Sequence, residues 1–344
     1  MVVGRRRSGW LALGLTLTLL PGCLSRAVTP AVAEAVTPVG PVSTSPIYAH
    51  AIKKAVDDGL KVWLDADLAS RWLEGSKSFQ AGVNRVGQLS RLRGVVGVKV
   101  ADEFGYNDGF TGRAGAMRGF ARQTAAALHR AAPGKLILAD ILVPELGCAP
   151  GISGLAAGPA AACRSEFEAK YPALTLDEIG RLLRTGAFDA VNLSTGLLSG
   201  PEYASWGITL AQAQEAAWRE VQRRGWADLV TLDSRKALAF PGRYPYSAER
   251  AQLDLHAYVG VPAAEGAHAV DIWAWHRLYE SRIVRLMNPG LRPNPLWDGL
   301  VASKKEGIRL FTQFSPTSVE KSVRVDLKVI SHAFTGVFMA AGTG

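Results

Sequence analysis

Six apolar, β-branched runs in this chain carry a carboxylate, an amide or an indole at or within two residues of their ends. They are Lys61–Asp67 (KVWLDAD), Val95–Glu103 (VVGVKVADE), Lys135–Ile141 (KLILADI), Ala190–Ser194 (AVNLS), Asp228–Ser234 (DLVTLDS) and Val270–Trp275 (VDIWAW). Two-residue alternation places Asp65 and Asp67 on one face of the first run. By the same rule one face carries Lys99 and Glu103, then Asp140, then Asn192, then Asp233, then Asp271, Trp273 and Trp275, with His276 directly after. Several carboxyl groups gathered at one place can divide into a protonated acid and an ionised base. Burying them together costs several kcal/mol per ion unless Lys99, water, a metal or a ligand compensates, so the set points to a polar pocket. Each acid also has a purely structural use. Asp67 can cap the next helix, Asp233 can bond the following turn, and Asp140 can pair with Lys99.

The elements that would position these groups follow from a repeated pattern. Helical periodicity covers 46–58, 79–92, 113–131, 175–185, 209–224, 247–258, 295–305 and 317–335. Gly59, Gly94, Gly134, Gly186, Gly225 and Gly307 each stand between a helix and the next apolar run, the last of which is Ile308–Phe314. Helix, glycine and strand in succession predict right-handed βαβ units and a parallel sheet. With a weak strand near 36–42 the count reaches eight. The expected fold is an α/β (β/α)8 TIM barrel, a single domain with a long loop (142–174) after strand 4 and a final helix closing the ring. A doubly wound sheet would show a Gly-rich phosphate turn after its first strand, and none is present.

Gly97-Val98-Lys99-Val100-Ala101-Asp102-Glu103-Phe104-Gly105-Tyr106 resembles an acid-bearing strand end of the (β/α)8 glycoside hydrolase superfamily. Trp273 and Trp275 resemble the sugar-stacking tryptophans of a late strand. The resemblance implies a carbohydrate substrate, Glu103 as acid/base, and Asp233 or Asp140 as nucleophile or base. It implies positioning roles for Asp65, Asp67, Lys99, Tyr106, Asn192, Trp273, Trp275 and His276. A short carboxyl separation would mean retention and a longer one inversion. This chain has Asp102-Glu103 where the large retaining clan has Asn-Glu. Trp63, Trp206, Tyr244, Tyr246 and Trp297 add aromatic faces near the strand ends, whereas Trp72 and Trp218 read as core.

Two other readings use the same groups. A non-catalytic barrel would keep a sugar-binding groove without turnover. Alternatively, Glu103, Asp140 and Asn192 would hold Mg²⁺ while Lys99 removes a proton beside a carboxylate. Neither HxH nor HExxH spacing occurs, so no metal or cofactor is expected on the leading reading. Ser194 and Ser315 lack a Gly-x-Ser-x-Gly elbow. Glu145 falls in the long loop.

Arg5-Arg6-Arg7 followed by the apolar run Trp10–Leu20 forms a secretory leader too short to span a bilayer. Leu20-Pro21-Gly22-Cys23 resembles the lipobox of bacterial lipoproteins, which implies lipidation at Cys23 and an extracytoplasmic, membrane-anchored protein; a monomer is expected. The expected organisation is a leader over 1–22, a tether over 23–45 and a barrel over 46–344. Removing residues 1–22 takes away three of 39 basic and none of 30 acidic residues, leaving an excess of six. That excess is dispersed, so nucleic-acid binding is not expected. Cys148 and Cys163 read as a disulfide worth ~3 kcal/mol by chain entropy, with a zinc pair as the competing reading.

Overall fold

The computed structural model describes residues 46–106, 108–155, 158–233, 247–279 and 281–342. Eight parallel strands close into a barrel. In chain order the strands are β1 (Lys61–Asp65), β2 (Val95–Lys99), β3 (Leu136–Leu142), β4 (Ala190–Ser194), β5 (Val230–Asp233), β6 (Val270–Ile272), β7 (His276–Tyr279), β8 (Arg282–Arg285), β9 (Leu310–Phe314) and β10 (Gly336–Ala340). The ring runs β1-β10-β9-β6-β5-β4-β3-β2, and β7 pairs only with β8, as an antiparallel hairpin between β6 and β9. The expected (β/α)8 barrel is therefore present.

Its first and last elements differ from expectation. The weak strand near 36–42 lies outside the described residues. The eighth strand is instead β10, which follows the helix Val323–Ala333 and bonds to β1 and β9. A strand, not a helix, closes the ring. The run Gly336-Val337-Phe338-Met339-Ala340 is short and sits directly after a helix, so helical periodicity absorbs its approach. The predicted helix over 317–335 begins only at Val323, where the Ser322 hydroxyl accepts from the Val325 amide. The long segment after β3 is not structureless: it contains a 3-10 turn, Pro144–Cys148, and a helix, Pro159–Lys170. Cys148 and Cys163 are bonded and join those two elements.

Side-chain alternation sorts each strand into two cores. Val62, Leu64, Val98, Ile137, Ile141, Val191, Leu193, Ile272, Val337 and Met339 face the helices and are buried. Each such aliphatic chain stabilises the fold by about 1.5–3 kcal/mol. Inside the barrel, Trp63, Leu138, Ala269, Phe311 and Phe338 form a separate apolar floor. The Trp63 and Phe338 rings lie 6.4 Å apart, and Phe311 and Phe338 5.7 Å. Gly97 is required here, because a Cβ would stand 2.2 Å from the Trp63 ring. The polar groups stand one step further along the strands, above this floor.

Candidate functional site

Asp65 ends β1 and Lys99 ends β2, and the two are register partners. The Lys99 Nζ lies 3.1 Å from Asp65 Oδ2 and 3.0 Å from Asp102 Oδ1, just beyond the strand. Lys99 is wholly buried, and its ammonium sits 5.3 Å over the Phe338 ring of the floor. Taking an ammonium out of water costs several kcal/mol, offset here by two carboxylates and an aromatic face. Burial raises the Asp65 carboxyl above its ordinary value of 3.8, Lys99 opposes that shift, and Asp102 reinforces it.

Further round the ring, Asp140 of β3 is wholly buried and in register with Asn192 of β4. The Asn192 Nδ2 donates to Asp271 Oδ2 of β6 at 2.9 Å. Asp271 is in turn the register partner of Asp233 on β5. On the far side, Gln313 of β9 stands beside Phe338. Its Oε1 accepts from Arg277 Nη1 at 3.2 Å, which brings a cation from the hairpin to the barrel mouth. Arg277 also acts electrostatically on Asp65. Trp273, just past β6, packs edge-on against Tyr279 with ring centres 5.3 Å apart.

Lys99, Asp65, Asp140 and Asn192 thus stand at one end of the barrel, as the alternation implies. The Asp233 side chain lies outside the described residues, although β5 ends on it. Glu103 is displaced from its predicted place. β2 stops at Lys99, and Glu103 lies in a following turn with φ +46°, so strand parity does not aim it. It is buried and acts electrostatically on Tyr106, whose phenol pKa is raised by burial and a hydrogen bond with Tyr171. The Tyr106 and Tyr171 rings are 4.9 Å apart.

Three other predicted site residues have structural partners. Asp67 caps the helix Leu68–Glu74, accepting from the Ser70 amide at 3.0 Å. Trp275 donates to Asp326 Oδ2 at 2.9 Å and packs on Trp297, inside the wall. His276 lies beside Ser318 and Glu320, with Nδ1 3.3 Å from the Ser318 hydroxyl and Nε2 3.2 Å from Glu320 Oε2. Among the other aromatics, Trp63 lies in the floor and Trp206 packs against Tyr203, while Tyr244 and Tyr246 lie outside the described residues. Glu145 is buried and accepts from the Leu176 amide at 3.0 Å. Cys23 and the leader also lie outside the described residues.

Sequence reasoning passed over Asp102, Gln313 and Arg277. Gln313 shares the inward alternation of Phe311, a signal that was present. Arg277 depends on a hairpin that the run Val270–Trp275 conceals, because that run reads as one strand to Trp275 while the strand ends at Ile272.

The loop after β2 also holds Asp108, which accepts from the Gly105 and Phe110 amides at 3.0 and 3.1 Å. Burial pushes its carboxyl from 3.8 up to about 7, with the Asp67 charge adding to the rise. A raised folded-state value means the folded chain holds this proton more tightly than the unfolded chain. The associated stability is complete below 3.8 and is lost as pH rises through about 7. Thermal midpoints measured from pH 4 to 8 should show this decline, and Asp108→Asn should flatten it.

The proposed Mg²⁺ donors were Glu103, Asp140 and Asn192. Among the described residues no three His, Cys, Asp or Glu side chains gather to hold one metal ion. The Asn192 amide is oriented by its donation to Asp271, and the Lys99 ammonium lies between Asp65 and Asp102.

No family model matches the chain, and no curated protein does. Solved structures do resemble it. One is the carboxyl transferase domain of Rhizobium etli pyruvate carboxylase with pyruvate and biocytin, at 10% identity and TM-score 0.43, covering 90% of this chain and 47% of that one. Another is a putative phosphonomutase from Burkholderia cenocepacia J2315, at 14% identity and TM-score 0.43, covering 85% and 92%. The chain spans about half the length of that carboxyl transferase chain, and 26% of the longer pyruvate carboxylase chain with acetyl coenzyme-A. These resemblances extend to barrel architecture alone. They correct the glycoside hydrolase expectation, since the matched barrels are a carboxyl transferase and a phosphonomutase. The geometry agrees with that correction: Glu103 has left the strand end, and the Trp275 indole is engaged by Asp326.

Proposed function

We propose that the chain is an acid–base enzyme that moves a proton at a carbon next to a carbonyl group. The observation that carries this is the wholly buried Lys99, held between Asp65 and Asp102 at the mouth of the barrel. Apolar side chains of similar volume often serve stability as well as a buried ion pair or better, by up to about 4 kcal/mol. A cation in this place, with further buried acids at Asp140 and Asp271, suits chemistry better than packing. The Lys99 ammonium would face the carbonyl oxygen and stabilise the negative charge that develops there. Asp65, its basicity raised by burial, would take the proton. The C–H bond breaks, its electron pair moves into the new C=C bond, and the carbonyl pair moves onto oxygen. Return of the proton to the same or the neighbouring carbon completes an exchange or an isomerisation.

The test is proton exchange in deuterium oxide. Small aldehydes, ketones and oxo acids are incubated with the protein, and loss of the C–H signal is followed by nuclear magnetic resonance. The wild type should exchange at least one of them. Lys99→Met should slow that exchange by about 10²–10³-fold, as removal of a charge-stabilising donor does. Asp65→Asn should slow it by about 10²–10⁴-fold. Lys99→Arg keeps a buried cation and the fold while moving the charge, so it should also be slow. No exchange by the wild type, or unchanged exchange in Lys99→Met, would overturn the reading.

A further inference from the structure

At the ends of β6 and β9 the barrel holds two buried side-chain donors without acceptors among the described residues. The Gln313 side chain is 6% exposed and gives its Oε1 to Arg277, while its Nε2 has no hydrogen-bond partner among the described residues. Trp273 is 4% exposed, and its Nε1 likewise has none. The Trp275 amide, two residues on, donates to the Gln313 carbonyl at 3.4 Å, which holds the segment after β6 against β9. Arg277, half-buried on β7, forms no ion pair among the described residues although it lies within electrostatic reach of Asp65. A buried N–H left without an acceptor costs about 1–3 kcal/mol, and packing alone gives no return for two of them.

We infer that Arg277, Gln313 Nε2 and Trp273 Nε1 form a carboxylate-binding subsite. A carboxylate has acceptors only, and its two oxygens match a guanidinium together with one or two further N–H donors. The hairpin β7–β8 supplies the charged member and the barrel wall supplies the neutral ones. Anchoring at this corner sets one end of the ligand across the mouth from Lys99. Resting on the proton-transfer reading, the substrate is a carbonyl compound that also carries a carboxylate; the anchoring itself does not depend on that reading.

The probes are acetate and acetamide, which have nearly the same shape and differ in charge. Indole N–H signals of the full chain are followed by nuclear magnetic resonance, with Trp273→Phe identifying the relevant one. Acetate should shift the Trp273 signal saturably, and acetamide should not. Arg277→Gln should weaken acetate binding by about tenfold to a hundredfold, the usual loss for a charge-assisted contact. Gln313→Glu replaces a donor by an acceptor that pairs with Arg277, and it should abolish binding. The other indole signals report that both variants are folded. Equal binding of acetamide, wild-type binding in either variant, or no saturable shift with acetate would overturn the subsite. Acetate binding in a protein that exchanges no carbonyl compound would leave the subsite standing and remove the proton-transfer reading. Exchange of simple ketones without acetate binding would do the reverse.

Discussion

Asp326→Leu should lower stability by roughly 3 kcal/mol, because it strands the buried Trp275 indole N–H and takes a charged acceptor from three part-buried turn amides. The Asp326 carboxylate is wholly buried at the start of the helix Val323–Ala333. It accepts from the Glu320, Lys321 and Ser322 amides at 2.7, 3.1 and 3.2 Å, and from the Trp275 indole at 2.9 Å. Leucine has similar bulk and no acceptor, so four N–H groups lose their partner at once. For a domain of this size the thermal midpoint should fall by about 10 °C. Asp326→Asn keeps one acceptor oxygen and should fall by less. Circular dichroism melts of the three proteins decide the matter. A loss below about 1 kcal/mol would mean that the 320–322 turn is held by other contacts, and that Trp275 is freer than its geometry indicates.

Gly97→Val is expected to have the second large effect, through volume rather than charge. Already at the first added carbon the clash is 2.2 Å with the Trp63 ring and 2.6 Å with the Leu136 carbonyl. The carbonyl belongs to the neighbouring strand and cannot move without breaking the β2–β3 ladder. The ring is packed against Phe338 and has nowhere to retreat. Overpacking of this kind costs about 1–3 kcal/mol where neighbours can shift, and more here because one of them is backbone. Lys99 is two residues further along the same strand and rests over Phe338. Gly97→Ala should therefore reduce both the melting midpoint and any exchange activity, while a substitution at exposed Leu136 should change neither. Wild-type stability in Gly97→Ala would show that the floor repacks.

Much of this arrangement was readable from two-residue alternation. Lys99, Asp140 and Asn192 stand where alternation puts them because their strands are continuous up to those residues. It failed at Glu103, since Val100 and Ala101 continue the apolar pattern. Even there the Val100 amide still bonds to the Leu138 carbonyl at 2.8 Å, so nothing local marks where the strand stops. Asp102 became important for the same reason: the turn brings it back to Lys99. β10 was hidden by its length and by the helix before it. Arg277 was hidden because its role depends on tertiary placement of a hairpin, and no periodicity reports which loop folds over the mouth. The glycoside hydrolase resemblance rested on Glu103 and two tryptophans, one of which is committed to Asp326.

The ring is sealed by β10 inserting between β1 and β9, and this sets an order of events during synthesis. β1 emerges from the ribosome about 270 residues before its partner β10, an interval of roughly 15–50 s at ordinary elongation rates. Throughout it, one edge of β1 has no strand to pair with, and Trp63 and Phe311 wait for the Phe338 ring that completes the floor. The nascent chain is therefore most exposed to edge-to-edge association late in translation, when seven strands are made and the eighth is not.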